Sequence, residues 1–209
     1  MEQDGAKSKR ELILDIAEAG VLEKGFGATS IEEIIAEAGI TKSGFFYHFR
    51  DKNELARALL QRYIDNEEAL LDGIFERARD LHGDPLHSFL IGLKLLAEMM
   101  ADLPRGHPGC LVATVAYAER LFDRDVRALN RKAVLTWRER FHAMLTEIAA
   151  IYPPSEDVDL RCLADMVSNT VEGGIVLSRA VEEPRILVEQ IMLLRSYIGL
   201  LFSPRTLAA

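Results

Sequence analysis

Apolar residues recur at intervals of three and four along almost the whole chain, and no run alternates with period two between turn residues. The pattern predicts an all-α fold. Breaks rich in Gly, Pro and Asp punctuate it: GFGAT at 25–29, AGITKSG at 38–44, DLHGDP at 80–85, DLPRGHPG at 102–109, IYPPSED at 151–157 and EEP at 182–184. The intervals between them predict about nine helices in total. The first three are short, a bridging helix spans about 52–80, and the later ones are longer and more apolar.

The first predicted helix carries Ile13, Ile16, Ala17, Gly20 and Val21 on one face. In ATSIEEIIAEAG, either Thr29 or Ser30 suits the N-cap, and Glu32 or Glu33 completes a capping box. Ile31, Ile34, Ile35 and Ala38 form the apolar stripe. Gly39 suits the left-handed residue that ends a helix. Thr41 then caps a second short helix, KSGFFYHF, so the order is helix, tight turn, helix. This is the outline of a helix-turn-helix, whose second helix enters the DNA major groove. Many helical hairpins that never touch DNA share the outline.

The second helix holds five rings in succession, Phe45 to Phe49. Phe45 and Phe49 lie four apart and belong on the face packed against Ile34, Ile35 and Ala38. Thr41, Lys42, Ser43, Gly44, Phe46, Tyr47 and His48 fall at the N-terminus and outer face. Gly44 costs about 1 kcal/mol relative to Ala inside a helix, and fits a position where another backbone approaches closely. The whole chain has a formal charge of −8, which argues against nucleic-acid binding by bulk electrostatics. Residues 41–62, however, hold five Lys/Arg against two Asp/Glu. Lys42, Arg50 and Lys52 are therefore candidate phosphate ligands, with Tyr47 and His48 as further donors to phosphate oxygens.

TSIEEIIAEAGITKSGFFYHFRDKNELARALL resembles the DNA-binding domain of the TetR family of transcriptional regulators. Gly39, Ile40, Thr41, Lys42, Phe46, Tyr47, His48, Phe49, Arg50, Lys52, Glu54 and Leu55 occupy the matching places. The resemblance covers residues 8–62 by motif, and the remainder only by length and helical layout. It implies a three-helix DNA-binding domain over 1–55 and a ligand-binding and dimerisation domain over 56–209. DNA contacts are implied at Thr29 or Ser30, and at Thr41, Lys42, Ser43, Gly44, Phe46, Tyr47, His48 and Lys52. One position departs from the pattern. Family members often have Gly followed by Thr or Ser where this chain has Ser43 and Gly44, so Ser43 stands in for the missing hydroxyl.

A single short recognition helix makes few contacts, and such modules act as dimers on pseudo-palindromes. In the last helix Leu187, Ile191, Leu194, Ile198 and Leu201 alternate spacings of four and three, and Ile186, Leu193 and Leu200 form a second line. The helix before it repeats the rhythm with Leu160, Ala164, Val167, Val171, Gly174, Ser178 and Val181. Two such helices from each copy can form a four-helix interface, as the resemblance implies, although a monomer can use the same lines for its own core.

The family resemblance also implies a small, largely apolar effector bound in the body, and a repressor released from a palindromic operator by it. Phe89, Leu93, Met100, Thr114, Tyr117, Trp137 and Phe141 are the candidate lining, with Asn169 and Glu172 as polar guides. No Ser/His/Asp order, Gly-rich phosphate loop or metal-ligand spacing appears, so the expectation is no enzyme, no cofactor and no metal. Cys110 and Cys162 are too few and too separated for a disulfide framework. Without an apolar run of spanning length or a signal peptide, the expected location is cytoplasmic, away from the membrane. A helical protein-interaction module, or less readily an enzyme using the helical body, is the alternative. Steep weakening of DNA affinity by salt separates the regulator from the interaction module.

Overall fold

The computed structural model describes residues 7–202. Within them the chain forms nine α-helices and one short 3-10 helix, with no strand. The helices are α1 (Lys9–Lys24), α2 (Ile31–Ala38), α3 (Lys42–His48), α4 (Lys52–Leu81), α5 (Pro85–Ala101), α6 (Leu111–Tyr117), α7 (Arg124–Ile151), α8 (Leu160–Ala180) and α9 (Arg185–Phe202). The 3-10 turn is Glu119–Leu121, between α6 and α7. The all-α layout of about nine helices matches the periodicity.

The chain divides into two compact units differently from the expected boundary at residues 55 and 56. The first unit combines the chain up to Asn66 with Gly109–Ala133, and the second combines Glu67–Pro108 with the chain from Val134 onward. A later segment therefore folds back into the first unit. The Phe26 and Phe122 rings meet with centroids 4.6 Å apart, and the Asp123 N–H donates to Asn53 Oδ1 at 3.1 Å. Neither pairing follows from helical periodicity, because both join residues tens of positions apart.

The second unit has its core between α5, α8 and α9, with α7 and the C-terminal part of α4 contributing. Phe75 stacks on Phe89 at 5.7 Å and meets Phe141 edge-on at 6.1 Å. Polar ties reinforce the packing. Arg138 grips Asp165 with two bonds of 2.7 and 2.8 Å, and Arg195 Nε donates to the Leu90 carbonyl at 3.0 Å.

This core takes up most of the residues expected at the dimer surface. Leu187, Ile191, Leu194, Ile198 and Leu201 are buried within the chain, as are Val167, Gly174 and Ser178, while Leu160 and Val171 are half-buried. They are the seam along which α9 packs on α8 and on α5. Gly174 marks a close approach: a Cβ there would stand 3.2 Å from Leu187 Cα and 2.8 Å from its Cδ1. What remains outside is the second apolar line on α9, with Leu193 63% and Leu200 75% exposed. Val176 and Leu177 of α8, Val181 just beyond it and Tyr197 of α9 are exposed too.

Candidate nucleic-acid interface

The helix-turn-helix is held by local bonds that its sequence specifies. Ser30 is the N-cap of α2: its Oγ accepts from the Glu33 N–H at 3.1 Å, and Glu33 Oε2 accepts from the Ser30 N–H at 2.9 Å. These are the two reciprocal bonds of a capping box. The Ser30 N–H, the Lys24 ammonium and the Ser30 hydroxyl together lower the pKa of Glu33 to about 2. Gly39 ends α2 at φ 61°, in the left-handed region where a side chain would be strained. Two residues later Thr41 caps α3, its Oγ1 accepting from the Gly44 N–H at 3.1 Å.

On α3 the rings separate by helical phase. Phe45 is 0% exposed, and Phe49, which follows the helix, is buried as well. Their rings lie 5.8 Å apart, with the Arg10 guanidinium 5.2 Å from the Phe49 centroid. Each such burial is worth roughly 1.5 to 3 kcal/mol. Tyr47, by contrast, is 85% exposed, and Phe46 is also exposed. A large ring left in water on a well-anchored helix adds little to the core, and is free to meet a partner.

Thr41, Lys42 and Ser43 are exposed beside Phe46 and Tyr47, while Gly44 and His48 are half-buried. The Thr41 and Ser43 hydroxyls are bonded to each other at 3.0 Å, and the His48 ring lies edge-on to Tyr47 at 5.0 Å. The glycine at 44 has a local cause. An added Cβ would lie 3.3 Å from Thr41 Oγ1, so the cap itself crowds the position.

Two expected DNA contacts are corrected. Thr29 is only 3% exposed, and its hydroxyl donates to the Gly25 carbonyl at 3.0 Å, so it is a core residue of the turn. Its methyl side faces Gly20, where an added Cβ would meet Thr29 Cγ2 at 3.1 Å. Lys52 also turns inward, donating to the Phe26 carbonyl oxygen at 2.8 Å with its ammonium 4.7 Å from the Phe26 ring centroid. Burial holds the Lys52 pKa below its ordinary value, against the opposing effects of Glu33 and Glu32. Of the nearby cations, Lys42 and Arg50 are exposed, and Arg50 Nε is paired with Asp51 at 3.1 Å.

Sequence periodicity did not reveal the brace behind this surface. Arg62 of α4 donates to Glu11, Asp15 and Glu18 of α1 at 3.2, 2.8 and 2.6 Å. The three carboxylates lie four and then three residues apart, on one face of α1, which was the available signal.

The expected effector set divides between the two units. Phe89, Leu93, Met100 and Phe141 are buried in the second unit's core, and Trp137 packs against it half-buried. Thr114 and Tyr117 belong to α6 in the first unit; Thr114 Oγ1 donates to the Cys110 carbonyl at 2.9 Å, and Tyr117 is 84% exposed. Asn169 is exposed and Glu172 half-buried on α8. Trp137 Nε1 is buried without an acceptor.

A capped turn between two short helices, the second presenting outward rings and a cation from a buried phenylalanine base, defines a protein of the helix-turn-helix class. The family model described as "Bacterial regulatory proteins, tetR family" matches residues 13–59. The Transcriptional regulator AcuR of Cereibacter sphaeroides is 28% identical over 160 residues, which are 75% of this chain and 70% of that protein. The Transposon Tn10 TetC protein of Escherichia coli is 32% identical over 148 residues, 60% of this chain and 75% of that one. The crystal structure of regulatory protein TetR from Rhodobacter sphaeroides superposes with a TM-score of 0.75 at 25% identity, covering 90% of this chain and 98% of its own. The chain belongs to the tetR family and is a DNA-binding transcriptional regulator. Among the described residues, no helix is long and apolar enough to cross a membrane.

Proposed function

We propose that the protein is a cytoplasmic, homodimeric repressor that binds a pseudo-palindromic operator through α3 of each copy and is released by a small, largely apolar effector. The observation that carries this reading is the division of α3, which buries Phe45 and leaves Tyr47 in water. Ser30, Thr41, Lys42, Ser43, the Gly44 backbone, Phe46, Tyr47 and His48 are the proposed contacts. Cationic and hydroxyl groups fix the register on phosphates, while the exposed rings and polar tips meet base edges and sugars. The names of the relatives above support a regulatory role and not a catalytic one.

A seven-residue helix reads only a few base pairs, so useful selectivity requires two copies. The exposed apolar residues Leu177 of α8 and Val181 at its C-cap, with Leu193, Tyr197 and Leu200 of α9, support dimerisation through that face. The effector is proposed to enter the second unit beside Phe89, Leu93, Met100 and Phe141. The unpartnered Trp137 Nε1 favours a ligand bearing a hydrogen-bond acceptor. Release from DNA follows if the ligand binds one arrangement of the dimer better than the other.

Selection of an operator from a random duplex pool tests the reading. Lys42→Ala and Tyr47→Ala should each weaken operator binding at least tenfold while leaving the protein folded and dimeric. Normal binding by both variants would remove α3 from the interface.

A further inference from the structure

The turn from α4 into α5 brings together two imidazoles and a carboxylate. His82, Asp84 and His87 each offer a donor atom within 4.8 Å of the other two. Asp84 Oδ1 lies 2.7 Å from His87 Nδ1, the Asp84 N–H donates to His82 Nδ1 at 3.2 Å, and the two rings stack with centroids 4.7 Å apart. A third element supports the cluster. Asp84 Oδ2 accepts from the Tyr152 hydroxyl at 2.7 Å, at the C-terminal end of α7, while Oδ1 also accepts from the His87 N–H at 2.9 Å as the N-cap of α5. The carboxylate is thus aimed from two sides at the space beside both rings.

We propose that His82, Asp84 and His87 form a binding site for one divalent transition ion of the zinc class, in addition to the protein's role as a DNA-binding regulator. Zinc holds nitrogen and oxygen ligands at about 2.0 to 2.2 Å, which in a tetrahedron places the donor atoms roughly 3.4 Å apart. The Asp84–His87 pair stands at 2.7 Å and all three donors lie within 4.8 Å, so small side-chain shifts reach that separation. His82 and His87 are exposed, so rotation about their side-chain bonds closes the difference without moving the backbone. The ion takes the place of the hydrogen between His87 Nδ1 and Asp84 Oδ1, with His87 adopting its Nε2–H tautomer, and water fills the fourth position.

The donor chemistry selects the ion. Two neutral imidazoles with one carboxylate suit zinc, nickel or copper, whereas calcium and magnesium prefer oxygen alone. Tyr152 then has the role of the outer hydrogen-bond donor that fixes a ligating carboxylate. Both histidines lie outside the helix interiors that make up the core: His82 follows the last turn of α4, and His87 sits in the first turn of α5. The ion therefore pins the end of α4 to the start of α5.

Titration of the untagged full chain with zinc chloride in a non-chelating buffer, followed by calorimetry, tests the site. One equivalent per chain is expected, and His82→Gln and His87→Gln should each weaken uptake at least tenfold, with helix content checked by circular dichroism. On the unaltered protein, the ring resonances of His82 and His87 should move with zinc while those of His48, His107 and His142 stay in place. Cobalt should give visible d–d bands that both variants lose. Absence of saturable uptake, uptake unchanged in both variants, or ring shifts confined to the other three histidines would overturn the proposal.

Discussion

Lys52 Nζ donates to the carbonyl oxygen of Phe26 at 2.8 Å, across 26 residues of sequence, and lies 4.7 Å from the centre of the same residue's ring. A lysine expected on the DNA-facing side therefore serves as a brace between the turn after α1 and the start of α4. The same Phe26 packs its ring on Phe122, so Lys52 helps fix the point where the later segment joins the first unit.

Lys52→Met should consequently lower the stability of the protein by roughly 1 kcal/mol, the worth of one hydrogen bond to a half-buried charge. The slope of log affinity against log salt for DNA should be unchanged, whereas Lys42→Met should reduce it by roughly 1. Filter binding over a salt series, beside urea unfolding of each variant, distinguishes them. A reduced slope in the Lys52 variant would return that residue to the phosphate contacts.

Arg62 is the only described residue bonded to all three of Glu11, Asp15 and Glu18. Its removal leaves three carboxylates crowded along α1, with Lys7 still on Asp15 at 2.5 Å and Arg10 on Glu11 at 3.6 Å. Arg62→Leu should destabilise the protein by about 2 kcal/mol at low salt, less at 1 M where the repulsion is screened. Urea midpoints at the two salt concentrations measure the difference.

The two apolar lines of α9 should respond oppositely to a charge. Leu194→Asp places a carboxylate in the core of the second unit and should prevent folding, since an unpaired buried charge costs several kcal/mol. Leu200→Asp, on the exposed line, should leave helix content intact and yield monomers in sedimentation. A folded, fully dimeric Leu200→Asp protein would move the interface elsewhere.

Glu33 provides a pH test of the capping box. The Ser30 N–H, Lys24 and the Ser30 hydroxyl favour its charged form, lowering its pKa from 4.5 to about 2. Its contribution to stability is therefore present above about pH 4.5 and lost as the pH falls through about 2. Carboxyl-carbon NMR should place the Glu33 midpoint near 2, and Lys24→Ala should raise it without restoring the ordinary value, because the Ser30 N–H remains.

The sequence by itself determined the helical segments, the Thr41 cap and the two roles of the α3 rings, and narrowed the α2 cap to Thr29 or Ser30 with Glu32 or Glu33. Those features depend on residues at most a few positions apart: Ser30 with Glu33, Thr41 with Gly44, Phe45 with Phe49. Helical geometry places such neighbours before any tertiary contact forms. Only the tertiary structure decided the rest. Leu194 and Leu193 are both apolar residues on α9, and local patterning cannot say which line meets α5 and α8. The partner surfaces settle it, burying Leu194 and leaving Leu193 in water. Thr29 and Lys52 were misread for the same reason. A hydroxyl or an ammonium looks like a surface group in sequence, and became an interior bond donor here because the Gly25 and Phe26 carbonyls were brought within reach.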